Sequence, residues 1–248
     1  MLICPRCKSN KIVLESGGIT GKYRCKNCGY VGNFIIEKVL KRKSLKKKMK
    51  RFLILLAILF IAGCVQEKMQ GGEGMPDLSG KKILMVIAPN NFRDEEYFTP
   101  REVLENANAS VFVTSLEEEA VSVAGKTVTV DFTLDKASVD DYDAIVFVGG
   151  PGAAVYFDNE KAISLAKDFY EAGKVVAAIC IAPSVLANAG ILEGKKATAW
   201  PSEQGNLEAH GATYTGEQVT VDGRIVTGKN PTAAEEFGNK IAEILAKQ

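Results

Sequence analysis

The sequence predicts an α/β domain over residues 81–248, a parallel sheet with helices on both faces. Four apolar runs rich in Val and Ile, KKILMVIA, ASVFVTS, DAIVFVGG and GKVVAAIC, have the composition of strands buried on both sides. Segments with helical spacing separate them. Strands that alternate with crossover helices make a parallel sheet.

The elements follow in order. The first run, from Lys81, leads through PNNFRDEEYFTP into a helix expected over Tyr97–Asn106 after an acidic turn. ASVFVTS is the second strand and DAIVFVGG the third. Residues Asn159–Ala172 place Ala162, Leu165, Ala166 and Phe169 on one helical face, with Asn159 as the N-cap. GKVVAAIC is the fourth strand, and Pro183 suits the first turn of the helix that follows it. Thr232–Lys247 closes the chain as a helix with Phe237, Ile241, Ile244 and Leu245 on one stripe.

Parallel sheets bind ligands beyond the carboxyl ends of their strands. Three segments lie there: FRDEEYFTP, GGPGAA and the turn that starts at Cys180. A thiol between a strand and a helix N-terminus is expected to shift toward thiolate, with the Ile181 amide aimed where an oxyanion would form. Gly149 and Gly150 allow close backbone approach and offer a second amide. On position alone a Cys that ends an apolar strand is more often an inert core residue. Glu96, by itself, reads as one solvated acid among Asp94, Glu95 and Glu96.

The net charge of +1 conceals an asymmetry, because residues 1–51 hold 15 Lys or Arg against only Glu15 and Glu37. Six cysteines show no disulfide framework. Cys4, Cys7, Cys25 and Cys28 form two CxxC pairs separated by 17 residues, a spacing that brings four thiolates to one tetrahedral ion. Residues 1–37 resemble a rubredoxin-like ribbon with a structural zinc, folded around β-prone runs that flank Gly17 and Gly18. Four thiolates leave no open position for catalysis, and no nucleic-acid partner is expected.

A basic linker, residues 38–51, precedes the uncharged run 52–65. Its 14 residues span about 21 Å as a helix, short of a roughly 30 Å hydrocarbon core. From Met49 the string MKRFLILLAILFIAGC has the layout of a secretory signal, and IAGC resembles a lipobox, which implies lipidation of Cys64. An uncleaved hydrophobic anchor is the alternative, and either reading implies membrane association through residues 52–65. Either the ribbon is a module of a membrane-anchored chain, or translation starts at Met49. Residues 66–80, Gly-rich and aperiodic, read as a flexible tether.

AAICIAP, FVGGPG and FRDEEYFTP, with the later KKATAWP and VDGRIVTGKNP, resemble the ThiJ/PfpI family of the class I glutamine amidotransferase-like superfamily, from about Lys81 to Leu245. The resemblance implies a flavodoxin-like sheet and a homodimer, with no cofactor in this domain. It implies that Cys180 is the nucleophile, that Gly150 and Ile181 form the oxyanion hole, and that Glu96 touches the sulfur as proton carrier. Members of the glyoxalase and deglycase type act on small reactive carbonyls or carbonyl-modified proteins, and this is the leading expectation. A redox-sensing or chaperone-like stress protein that holds a sulfinate on Cys180 is the alternative, and a PfpI-type cysteine peptidase a weaker one. Ile181 and Ala154 stand where the protease-like branch has His and Glu, and Trp200 stands where the glyoxalase branch often has His. Trp200 is thus a wall of the cleft or a core residue, and His210, the sole histidine, a surface or capping residue.

Overall fold

A computed structural model describes residues 2–3, 11–14, 23–27, 31–32, 36–37 and 76–248 of the chain, in two compact units that divide after Glu67. In the first unit Ile12–Leu14 pairs antiparallel with Tyr23–Cys25, which pairs in turn with Val31–Gly32, while Leu2–Ile3 pairs with Ile36–Glu37. Cys25, at the end of the middle strand, is buried. Cys4, Cys7, Cys28, the basic linker, the 52–65 run and Cys64 lie outside the described residues. Among the described residues no helix is long and apolar enough to cross a membrane.

The second unit holds a seven-stranded sheet. Its strands are β1 (Lys82–Val86), β2 (Ser110–Ser115), β3 (Phe132–Thr133), β4 (Ala144–Phe147), β5 (Val175–Ile179), β6 (Val219–Asp222) and β7 (Ile225–Gly228). They run in the order β3-β2-β1-β4-β5-β7-β6, parallel throughout except for β6, which pairs antiparallel with β7. The four apolar runs of the sequence are thus four of the five inner strands, β7 being the fifth, and β4 and β5 are buried along their whole length. Each fully buried Val or Ile there contributes roughly 1.5–3 kcal/mol. The outer strand is a hairpin partner: Asp222-Gly223, with Gly223 at φ 61°, turns β6 back onto β7.

Five α-helices cover the sheet: α1 (Asp94–Asn106), α2 (Glu160–Glu171), α3 (Pro183–Asn188), α4 (Gln204–Ala209) and α5 (Ala234–Leu245). Helices α1 and α5 pack together, so closely that a side chain on Gly238 would meet Pro100 and Val103. Asn159 caps α2 as expected, its Oδ1 accepting from the Ala162 amide at 2.9 Å. Two helix boundaries differ from expectation. Helix α1 starts at Asp94, three residues early, because the acids of its first turn favour the positive end of the helix dipole. Helix α5 starts at Ala234, after a 3-10 turn over Pro231–Ala233 that Asn230 caps.

Part of the expected tether is fixed structure. Leu78 is 0% exposed and its amide donates to the Ala107 carbonyl at 2.6 Å. Asp77 accepts from Ser79 and from Asn108 Nδ2. One apolar residue in a Gly-rich stretch is enough to dock residues 77–79 onto the end of α1.

Candidate active site

The sheet order reverses between β1 and β4, which opens a crevice at their carboxyl ends. The loop after β1 leads into α1, the double glycine follows β4, and Cys180 follows β5. All three converge here.

Cys180 occupies a turn of three residues between Ile179 and Pro183, and its φ is +65°, in the left-handed region. For a residue with a Cβ this conformation costs roughly 1–3 kcal/mol and persists only where the surroundings impose it. They do so from both sides. The Cys180 amide donates to the Gly228 carbonyl at 2.9 Å, and its carbonyl accepts from the Trp200 amide at 2.7 Å. The result is a sharp elbow that presents the sulfur at 8% residue exposure.

Glu96 lies in the first turn of α1, 0% exposed. A Cβ on Gly149 would collide with Glu96 Oε2 and come within 2.5 Å of Cys180 Cβ and 2.6 Å of the Ile179 carbonyl. Only glycine therefore lets the carboxyl and the thiol meet. Gly150, at φ +102°, is similarly walled by Arg93, Asn91 and Phe92 backbone atoms. The amides of Gly150 and Ile181 both bond to the Cys180 sulfur.

The electrostatics differ from the expectation of a depressed thiol. Burial raises Glu96 from the ordinary 4.5 to about 7, against the smaller pull of the Cys180 bond and the Arg93 charge. Burial, then the Glu96 charge, push Cys180 up to about 12, and the two amides only partly oppose this. The six-residue helix α3 is too small a dipole to outweigh desolvation beside a carboxylate. A protonated Glu96 removes the repulsion and becomes a donor, so the two groups share one proton as a coupled pair. Neither Glu96 oxygen has a hydrogen-bond partner of ordinary geometry, which leaves the soft sulfur as its polar neighbour.

The remaining candidates separate. Trp200 contributes its amide to the elbow, but its side chain is 43% exposed and does not belong to the core. His210 caps α4, with Nδ1 2.9 Å from the Asn206 carbonyl, and is exposed as expected. Arg93 went unnoticed in the sequence. Its amide donates to the Gly149 carbonyl at 3.0 Å, and its charge acts on the Glu96 carboxyl. The only signal was its place in FRDEEYFTP, three residues before Glu96.

The sequence profile of the DJ-1/PfpI family matches residues 81–244. The chain belongs to the DJ-1/PfpI family. A Pyrococcus horikoshii relative named a deglycase is 34% identical over 165 residues, which cover 66% of this chain and 99% of that protein. An uncharacterized protein of Methanocaldococcus jannaschii is 42% identical over 205 residues, 80% of this chain and 98% of that one. Among solved structures, the ThiJ/PfpI domain protein of Brachyspira murdochii superposes with a TM-score of 0.66 at 32% identity, over 68% of this chain and 99% of that chain. Family membership accounts for the α/β fold.

Proposed function

We propose that this DJ-1/PfpI domain is a cysteine-dependent enzyme that acts on small reactive carbonyls or on the adducts they form with proteins. One observation carries the reading: a buried carboxyl with a raised pKa touches a thiol held in a strained elbow beneath two amides. Relatives named deglycases support it.

With methylglyoxal the Cys180 sulfur adds to the aldehyde carbon, and the oxygen takes the Glu96 proton while the Gly150 and Ile181 amides hold its charge. Glu96, now a carboxylate, removes the hydrogen on the carbon that bears sulfur. The hydroxyl proton passes to the neighbouring oxygen, and Glu96 returns its proton to the former ketone carbon. One carbon is oxidised and its neighbour reduced, which leaves a thioester. Water cleaves the thioester to lactate and restores the thiol. Lactate formation from methylglyoxal tests this, with Cys180→Ser as control. Turnover by the wild type alone supports it, whereas no turnover, or equal turnover in the variant, contradicts it.

A redox-responsive role is the second reading, favoured by the same two amides at the sulfur, which would hold the oxygens of a sulfinate. A peptidase of the Cys-His type needs a histidine beside its nucleophile, and the sole histidine is engaged at the end of α4. That reading gains nothing from the site.

For the N-terminal segments we infer a structural zinc on Cys4, Cys7, Cys25 and Cys28 and a membrane anchor at residues 52–65. The Methanocaldococcus match supports shared sequence upstream of Lys81, since 80% of the chain is more than residues 81–248 contain. A homodimer, as in the family resemblance, completes the proposal. Intact mass from the host membrane fraction decides between a chain that starts at lipidated Cys64 and a full-length zinc-bearing one.

A further inference from the structure

A groove of about 390 Å³ opens beside the site, lined by Arg93, Phe98, Thr99, Val123, Ala124 and Lys126 together with the acids Asp94 and Glu95. It shares Arg93 with the catalytic region, because the Arg93 backbone is bonded to Gly149 and packs against Gly150. The charges in this groove are unequally satisfied. Lys126 Nζ sits 3.5 Å from Asp94 and 4.4 Å from the Phe98 ring centroid. Asp94 also accepts from Ser122 Oγ at 2.9 Å and from the Ala124 amide at 3.0 Å. Glu95 is exposed at the rim.

Arg93 is the exception. Its Nε is buried without a hydrogen-bond partner, and among the described residues it forms no ion pair. A buried donor left unpaired is costly and calls for an explanation. A guanidinium fork matches a carboxylate with two parallel bonds, which a point charge such as Lys126 does not.

We propose that Arg93 receives the carboxylate of a substrate whose aldehyde end reaches Cys180, so that the site favours carbonyl compounds carrying a carboxylate. This rests on the reading of Cys180 as carbonyl acceptor and adds the substrate class. Thr99 and the apolar wall of Phe98, Val123 and Ala124 suit the short chain between the two ends.

The test reads protection of Cys180 in the whole protein, not turnover. Cys180 alkylation by iodoacetamide is followed by peptide mass spectrometry in the presence of 4-oxobutanoate or of butanal, two four-carbon aldehydes that differ in the carboxylate. The ratio of their protective concentrations is compared within each protein. Wild type is expected to favour 4-oxobutanoate about tenfold, the size of one charge-assisted pair at a partly exposed site. Arg93→Gln should bring the ratio within about twofold, and Arg93→Lys should retain part of it. Equal protection in the wild type, or a preference that survives Arg93→Gln, overturns the proposal. Failure of methylglyoxal turnover would leave this result standing, because hemithioacetal formation alone gives protection.

Discussion

Replacing Glu96 with Gln removes the proton but keeps the shape, and the structure fixes what should follow. In the unfolded chain a carboxyl titrates near 4.5, and in the folded chain burial moves Glu96 to about 7. At about 1.4 kcal/mol per pH unit the difference amounts to about 3 kcal/mol. The sign follows from proton binding. Between pH 4.5 and about 7 the folded state keeps a proton that the unfolded state has released, so wild-type stability falls as pH rises through this window. Below 4.5 both states are protonated and Glu96 contributes no penalty. Above about 7 the ionised carboxylate lies buried beside the sulfur and the penalty is complete. Gln carries no such penalty, and little hydrogen bonding is lost with it, since neither Glu96 oxygen has a partner of ordinary geometry. Urea unfolding of the two proteins should coincide near pH 4.5 and separate progressively to pH 8, the variant being more stable by up to about 3 kcal/mol. In thermal melts this is roughly 6–12 °C for a domain of this size. A gap that does not change with pH, or a less stable variant at pH 8, would refute the buried, proton-sharing carboxyl.

Other positions make separate predictions. Gly149→Ala places a methyl against Glu96 Oε2, Cys180 and the Ile179 carbonyl, so activity should fall at least a hundredfold with the fold retained by circular dichroism. Leu78→Ala should cost about 2–5 kcal/mol in denaturant unfolding if residues 77–79 belong to the domain, and close to nothing if they are a free tether. Asn159→Ala removes the cap of α2 and should lower stability by about 1 kcal/mol, with no effect on the reactivity of Cys180.

The fold was legible where the physics is local. Runs such as AIVF and VVAAI admit few states other than buried strands, and Asn159 three residues before Ala162 is a cap that needs no tertiary context. The antiparallel β6 was missed, although Asp222-Gly223 between two β-prone runs is the hairpin signal for it. Docking of Leu78 had no periodic pattern to announce it. At the site, Cys180 and the double glycine follow from the strand ends, but Glu96 does not. Asp94, Glu95 and Glu96 are indistinguishable as letters, and only the start of α1 at Asp94 turns the third of them toward the sulfur. The direction of the thiol pKa failed for a related reason. A helix N-terminus can be read from sequence, whereas the desolvation that outweighs it depends on packing from three separate segments.

The central claim is that Cys180 bonds to a carbonyl carbon while Glu96 handles the proton. The most direct measurement is the mass of whole methylglyoxal-treated protein sampled within seconds, with Cys180→Ser alongside to place the adduct. The account predicts one methylglyoxal adduct in the wild type, none in Cys180→Ser, and more in Glu96→Gln, where water protonates the hemithioacetal oxygen but no carboxylate removes the carbon hydrogen. Adducts confined to lysine and arginine, present equally in Cys180→Ser, would contradict it.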